Sequence, residues 1–190
     1  RNSVVAARKA SGSWAGATAY LKGQILYRIA EVLDGRKDQF VKEMSLLGVS
    51  SKSAMEDIVA SIDLLVHYAG WSDKYQQLFS SVNPVSSPHF NFSVPEPSGV
   101  VGVVAPSDGS LAGLVSAMAP IVVGGNSAVV LVSGNPLSAI SFAEVLATSD
   151  VPGGVINILT GLRAELVPEF ARHMDVNALL LCSDDAEERK

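Results

Sequence analysis

The sequence is poor in cysteine, in charged residues and in long apolar runs. A single cysteine, Cys182, excludes an internal disulfide and is typical of proteins from a reducing compartment, so we expect a cytoplasmic protein. Charged residues make up only 17% of the chain and the net charge is −5, which argues against nucleic acid or an anionic membrane as a partner. The longest apolar run, Leu111–Val123, is interrupted by Gly113 and Pro120 and is shorter than the ~18 residues that span a bilayer.

Residue clusters typical of metal or thiol chemistry are also lacking. The three histidines, His67, His89 and His173, lie far apart in the sequence and show no metal-ligand spacing, so we predict no metal site. Cys182 has no Lys, Arg or His beside it in sequence to lower its thiol pKa, and we predict a core residue rather than a nucleophile. The chain starts at Arg1 and ends in a charged run, from which we expect a piece of a longer protein.

The most informative stretch covers residues 99–132. A short Val-rich run, 99–105, lies between Pro97 and Pro106 and predicts a strand buried on both faces. A helical run follows over Leu111–Val123, and a second Val-rich strand is predicted over Ser127–Val132. This β-α-β unit places its two strands parallel. Ligands of open α/β sheets bind at the carboxyl ends of strands, so the residues after Ala105 and Val132 are the first candidates for a site.

Residues 1–98 predict helices and one exposed strand that pack on the sheet. Residues 1–16 are small and polar apart from Trp14 and predict an irregular lead-in. Helical periodicity begins at Ala19, and Ser53 with Glu56 has the pattern of a capping box for a long helix that reaches about Phe79. Residues 89–94 alternate between apolar and polar side chains and predict a half-exposed antiparallel strand.

Strands and helices alternate from residue 99 to the end of the chain. Further strands are predicted over 155–159 and 177–182, with helices over 137–147 and 164–173. The alternation predicts an α/β fold in which a parallel, Rossmann-like sheet is covered by helices on both faces. We therefore divide the chain into 1–98, with N-terminal helices and a hairpin strand, and 99–190, an incomplete cofactor-type domain, both within one continuous unit.

Several of these segments resemble the NAD(P)-dependent aldehyde dehydrogenases. They are LYRIAEVLDGRKDQF, HYAGW, EPSGVVGVVAP, APIVVGGNSAVVL, PLSAISFAEVL and SDVPGGVINILTG, in the family's order. Within that superfamily the chain is most similar to the degenerate second module of the tandem family 16 enzymes. The resemblance implies a Rossmann-like cofactor domain and a hairpin, containing residues 89–94, that reaches into an oligomer interface.

The turn after the first strand departs from the family pattern. The resemblance implies Pro-Trp-Asn-Phe-Pro here, with the Asn amide donating to the oxyanion of the thiohemiacetal, but the chain has Pro106-Ser107-Asp108 followed by Gly and Ser. A carboxylate has no N–H to donate and would repel an oxyanion where such donors are worth roughly 3 kcal/mol. We interpret Asp108 as an N-cap for the helix from Ser110 rather than a catalytic residue.

Two cofactor-binding positions also differ from the family. The resemblance implies a Lys and a Glu that bind the adenosine ribose, where this chain has Val132 and, as a partial substitute for the Glu, Asn135. It implies a Gly-rich pyrophosphate loop at a helix N-terminus, where this chain has an acidic run from Ser183 to Glu188. Carboxylates in a first turn favour the helix but oppose binding of a diphosphate. We therefore expect no bound NAD(P).

Three functions remain open at this point. The first is a non-catalytic, aldehyde dehydrogenase-like cofactor domain that serves assembly or partner binding, and the three substituted site positions favour it. The catalytic Cys and Glu that the resemblance implies fall outside the sequence. The second is the N-terminal part of an active enzyme that oxidises aldehydes to carboxylic acids with NAD(P). The third is a pure interaction module. We expect a homo-oligomer or an attached aldehyde dehydrogenase module as the partner.

Overall fold

The computed structural model describes residues 1–134 and 136–183. These residues form a layered α/β structure in which a four-stranded sheet lies between two layers of helices. The helices are α1 Asn2–Ala15, α2 Ala19–Gly35, α3 Lys37–Leu46, α4 Ser51–Trp71, α5 Tyr75–Phe79, α6 Leu111–Val123, α7 Leu137–Ala147 and α8 Arg163–Arg172. The strands are β1 Ser81–Val82, β2 Phe92–Ser93, β3 Val100–Val104, β4 Ser127–Val132, β5 Ile156–Thr160 and β6 Ala178–Leu181. No described helix is long and apolar enough to span a membrane.

The main sheet is parallel throughout and has the strand order β5-β4-β3-β6. In register, Val100 pairs with Ser127, Val101 with Ala178, and Ala128 with Ile156. All residues of β3 and β4 are buried, as their Val-rich and largely apolar sequences predict for central parallel strands. The predicted Rossmann-like α/β fold is confirmed, and so are the bounds of α6 and β4.

Helices cover both faces of the sheet because alternate strand residues point to opposite sides. Val100 and Val104 of β3 pack with Ala7 of α1 and Phe170 of α8 on one face. Val101 and Val103 belong to the larger core on the other face, which also contains the buried side chains of α2, α3, α4, α6 and α7. The division at residues 98 and 99 stays a prediction, although the larger core includes residues from both sides of it.

The predicted irregular lead-in over residues 1–16 is wrong. Residues Asn2–Ala15 form helix α1, and Val4, Ala7, Ala10 and Trp14 are its buried residues. Their spacing of three or four residues places them on one helix face. Three of these four side chains are no larger than valine, so the apolar face gives a weak periodic signal in the sequence.

Two further boundaries also differ from the prediction. The long helix ends at Trp71, and a separate short helix continues to Phe79. The N-cap of the long helix α4 is Ser50, whose Oγ accepts a hydrogen bond from the Ser53 backbone N–H, so the predicted cap was placed three residues too late.

The predicted hairpin is present but short. Its two strands, β1 and β2, pair antiparallel over two residues each, and we call residues 81–93 the hairpin. The prediction of a half-exposed strand over residues 89–94 is wrong, because every residue in that range is exposed. Both residues of β2 itself are exposed.

The last strand is an edge strand rather than the buried strand that its apolar sequence predicts. β6 pairs only with β3 among the described residues, and Leu179 and Leu180 each expose 38% of their surface. Cys182 continues the ladder by donating its backbone N–H to the Val104 carbonyl, and its side chain is half-buried and packs against the larger core.

Candidate functional site

The carboxyl ends of β3, β4 and β6 form one edge of the sheet, and the candidate residues lie there. Strand β4 follows β3 in the sequence and pairs on one side of it, whereas β6 pairs on the other side. The direction of strand addition therefore reverses between β3 and β6. Open α/β sheets bind ligands at such a reversal, just beyond the strand ends. We call the space beyond the ends of β3, β4 and β6 the strand-end crevice.

Asp108 is exposed in the turn between β3 and α6. Its Oδ1 accepts a hydrogen bond from the backbone N–H of Ser110 at 3.0 Å, which closes a small turn that Gly109 continues with φ of 72°. The predicted N-cap role of Asp108 is wrong in detail. The N-cap is Ser110, whose Oγ accepts from the Gly113 backbone N–H at 3.1 Å.

The first turn of α6 is also capped by a residue that the sequence analysis did not single out, Asp57 of α4. Its carboxylate accepts hydrogen bonds from the Ser110 hydroxyl at 2.7 Å, the Leu111 N–H at 2.8 Å and the Ala112 N–H at 3.0 Å. A helix N-terminus that offers several N–H groups is a ready anion site. At α6 these groups already bind a carboxylate from within the chain.

The remaining family positions differ in burial, and two of them lie outside the described residues. Val132 is buried at the end of β4, with 5% of its surface exposed and no polar side-chain atom. Pro106 is half-buried, and Ser107 is exposed. Ser183 is half-buried one residue after Cys182, whereas Asn135 and Glu188 lie outside the described residues.

A small cavity and a larger cleft adjoin the turn that follows β3. A cavity of about 10 Å³ there is lined by Ala105, Pro106, Leu111, Val132 and Ala139, among others. A larger cleft of about 290 Å³ opens on the α4 side of the turn, and two carboxylates, Asp57 and Asp108, line it. Negative side chains in this cleft oppose the binding of an anionic ligand.

Arg163, the first residue of α8, extends across the strand-end crevice. Its Nε donates to the Ser133 hydroxyl at 2.9 Å, just beyond β4. Its Nη2 donates to the carbonyl of Ala105, beyond β3, and to the carbonyl of Cys182, beyond β6, at 3.4 Å. No local motif marks Arg163 in the sequence, where it is a lone arginine shortly after a Thr-Gly turn.

Burial raises the pKa of the Cys182 thiol, and the positive charge of Arg163 opposes this effect in part. No cation lies beside Cys182 in the sequence, but the fold brings Arg163 close to it. The thiol is the less nucleophilic form of the side chain. Within residues 1–134 and 136–183, no three His, Cys, Asp or Glu side chains are grouped as a metal site would require.

We expect Cys182 to react slowly with iodoacetamide near neutral pH. A raised pKa leaves less thiolate in the folded chain, so the rate will reach half its maximum at a higher pH than for an unperturbed cysteine. Alkylation followed by mass spectrometry reports this one site, because the chain has a single cysteine. The same chain unfolded in urea is the control. Equal rates for the folded and unfolded chains at pH 8 would contradict the prediction.

Comparisons with known proteins agree with the fold and with the sequence resemblance. A profile of the aldehyde dehydrogenase family matches residues 1–185. Omega-crystallin of Enteroctopus dofleini is 31% identical over 167 residues, which cover 86% of this chain and 33% of that protein. Cytosolic 10-formyltetrahydrofolate dehydrogenase of Xenopus tropicalis is 29% identical over 182 residues, which cover 93% of this chain and 20% of that protein.

A solved structure with the same fold is the NAD+ complex of aldehyde dehydrogenase from Bacillus cereus. It superposes with a TM-score of 0.88 at 26% identity, over 94% of this chain and 37% of that one. The chain thus spans about a third of the length of omega-crystallin and of the Bacillus cereus enzyme, and about a fifth of the Xenopus protein.

Proposed function

The chain belongs to the aldehyde dehydrogenase family, and on that premise we propose that it is a cofactor-type domain without catalytic activity of its own. Its role in this proposal is assembly or partner binding. The observation that carries the proposal is Asp108, which stands where the resemblance places the oxyanion-donating Asn. Its carboxylate accepts from Ser110 and has no N–H to offer. Repulsion of a developing negative charge at this position opposes the family's chemistry.

The donor set at the strand ends also fits a dinucleotide poorly. Val132 offers no hydrogen-bonding side chain to a ribose hydroxyl, and the N–H groups of the first turn of α6 bind Asp57. The adjacent cleft is lined by two carboxylates, which disfavour a group with two negative charges. These contacts support the expectation that the chain holds no NAD(P).

Calorimetric titration of the 190-residue chain with NAD+ and NADP+ tests the proposal. We expect no heat of binding for either dinucleotide at ligand concentrations up to the millimolar range. The Bacillus cereus aldehyde dehydrogenase is a positive control, since its structure was solved as an NAD+ complex. Micromolar affinity for either dinucleotide would contradict the proposal.

The similarity to that NAD+ complex favours a second candidate function. Here the chain is the N-terminal part of a working NAD(P)-dependent aldehyde dehydrogenase, which oxidises aldehydes to carboxylic acids, and it holds the cofactor through contacts different from the family's usual set. The same titration separates the two candidates, because only this one requires binding. A protein in which this chain continues into a catalytic Cys and Glu would be the appropriate sample for an activity assay.

The hairpin supports the assembly role and is also what the interaction-module alternative requires. Its apolar side chains are exposed although most large apolar side chains of the sheet are buried: Phe90 exposes 75% of its surface, Val82 69% and Phe92 59%. The rings of Phe90 and Phe92 lie 5.5 Å apart between centroids and form one apolar patch. Exposed contiguous apolar patches are typical of interaction sites. We propose that this patch contacts a second copy or an attached aldehyde dehydrogenase module.

We predict that Phe92→Asp and Phe90→Asp each abolish self-association of the chain. A charge placed in an apolar interface must lose its hydration on association, which costs several kcal/mol. Light scattering over a concentration series measures the effect. Leu46→Asp is the matched control, because Leu46 is 83% exposed on α3, outside the hairpin. A native chain that stays monomeric at every concentration would contradict the assembly through a second copy.

A further inference from the structure

Arg163 stands out because helix formation does not explain its position. It is the first residue of α8, where the positive end of the helix dipole disfavours a cation by several tenths of a kcal/mol. Its guanidinium turns instead toward the sheet and binds acceptors beyond three different strands. The residue is half-buried, and its contacts lie 30 and 58 residues away in sequence for Ser133 and Ala105.

The acceptors of Arg163 define the place that it occupies. Ala105 and Cys182 directly follow β3 and β6, the two strands between which the strand order reverses, and the Nη2 atom of Arg163 donates to both carbonyls. Ligands of open α/β sheets bind beyond this reversal, where backbone groups at the strand ends are free to contact them. In this chain the guanidinium of Arg163 lies at that position. Its Nε donates to the hydroxyl of Ser133, just beyond β4.

We infer that Arg163 is an internal occupant of the strand-end crevice and that it excludes the diphosphate of a nucleotide from it. The inference rests on the proposed function, in which the chain binds no dinucleotide, and it names the residue responsible. A diphosphate seated beyond β3 and β6 must displace the side chain and break its hydrogen bonds to Ser133, Ala105 and Cys182. Asp57 likewise opposes the binding of a phosphate at the first turn of α6, because its carboxylate already accepts hydrogen bonds from the N–H groups there.

The main experiment compares the native chain with Arg163→Ala by calorimetric titration with ADP and with NAD+. We expect no detectable binding by the native chain and measurable binding by Arg163→Ala. The Kd of the variant should be at least tenfold lower than the weakest Kd that the titration can detect. Arg172→Ala is the matched control. Arg172 lies in the last turn of the same helix, is exposed and pairs with Glu169, so its loss should leave the native result unchanged.

Three outcomes separate this inference from the proposed function. Binding only by Arg163→Ala supports both. No binding by either chain overturns the inference and leaves the proposed function standing. Micromolar binding of NAD+ by the native chain overturns the proposed function and the inference together, because the inference requires a native chain that binds no dinucleotide.

A second measurement does not depend on the variant's stability. Phenylglyoxal modifies accessible guanidinium groups, and mass spectrometry of the native chain gives the rate for each arginine. We expect Arg163 to react at least tenfold more slowly than Arg172, whose side chain is 72% exposed. Similar rates for the two arginines would show that the guanidinium of Arg163 is not held in the crevice, and would overturn the inference.

Discussion

Replacing Trp14 by alanine is expected to lower the free energy of unfolding by about 4 kcal/mol, as large-to-small substitutions of buried aromatic residues do. The indole is 2% exposed, and its Nε1 donates to the Val122 carbonyl at 2.9 Å. It therefore connects α1 to the last turn of α6 through both packing and a hydrogen bond. Domains of this kind are stable by roughly 5 to 15 kcal/mol, so the loss is a large part of the total.

Urea unfolding followed by circular dichroism measures the effect, and two variants provide controls. Trp14→Phe keeps most of the apolar volume and is expected to cost about 1 to 2 kcal/mol, chiefly through the lost hydrogen bond and the smaller ring. Trp71→Ala removes the other tryptophan, which is half-buried at the end of α4, and should cost less than Trp14→Ala. A decrease of less than about 1.5 kcal/mol in the free energy of unfolding for Trp14→Ala would contradict the role of Trp14 in joining α1 to α6.

Asp57→Ala is expected to lower the free energy of unfolding by about 2 kcal/mol, because hydrogen bonds to a charged group are worth more than neutral ones. The substitution removes the common acceptor of the Ser110 hydroxyl and of the Leu111 and Ala112 N–H groups. These contacts join α4 to the first turn of α6. Asp57 is half-buried, so water can reach part of the site and replace some of the lost bonds.

The control for Asp57 lies on the same helix. Asp63 is exposed, and Asp63→Ala should change the free energy of unfolding by less than about 0.5 kcal/mol. Asp57→Asn keeps one carbonyl oxygen as an acceptor and should lose about half as much as Asp57→Ala. Equal unfolding curves for Asp57→Ala and Asp63→Ala would show that the α4 contact does not stabilise α6.

The central strands and α6 were predictable because their sequences are locally consistent. β3 and β4 are Val-rich runs, and Pro97, Pro106 and the Gly-Gly-Asn turn after α6 mark where the elements end. Such signals are carried by neighbouring residues and need no tertiary contact. Helix α1 was missed because two of its four buried residues are alanine, which is apolar but too small to give a strong periodic pattern.

The site was less predictable because its main contacts connect residues far apart in sequence. Asp57 caps a helix that begins 54 residues later, and Arg163 reaches a carbonyl 58 residues before it. Neither residue belongs to a local motif, so their roles appear only when the strands and helices are assembled. The turn at Asp108 was identified through the family resemblance, and the structure adds the partner of its carboxylate, the Ser110 N–H.

The position of β3 in the middle of the sheet has a consequence for how the chain folds during synthesis. One neighbour, β4, follows within 30 residues of β3. The other, β6, is Ala178–Leu181, near the end of the described chain. Arg8 of α1 likewise donates to Asn177, 169 residues later. Contacts of such sequence separation form slowly. A nascent chain therefore leaves the ribosome with its helices α2 to α4 able to associate early, while one edge of its central strand stays open to chaperones or to other chains until β6 emerges.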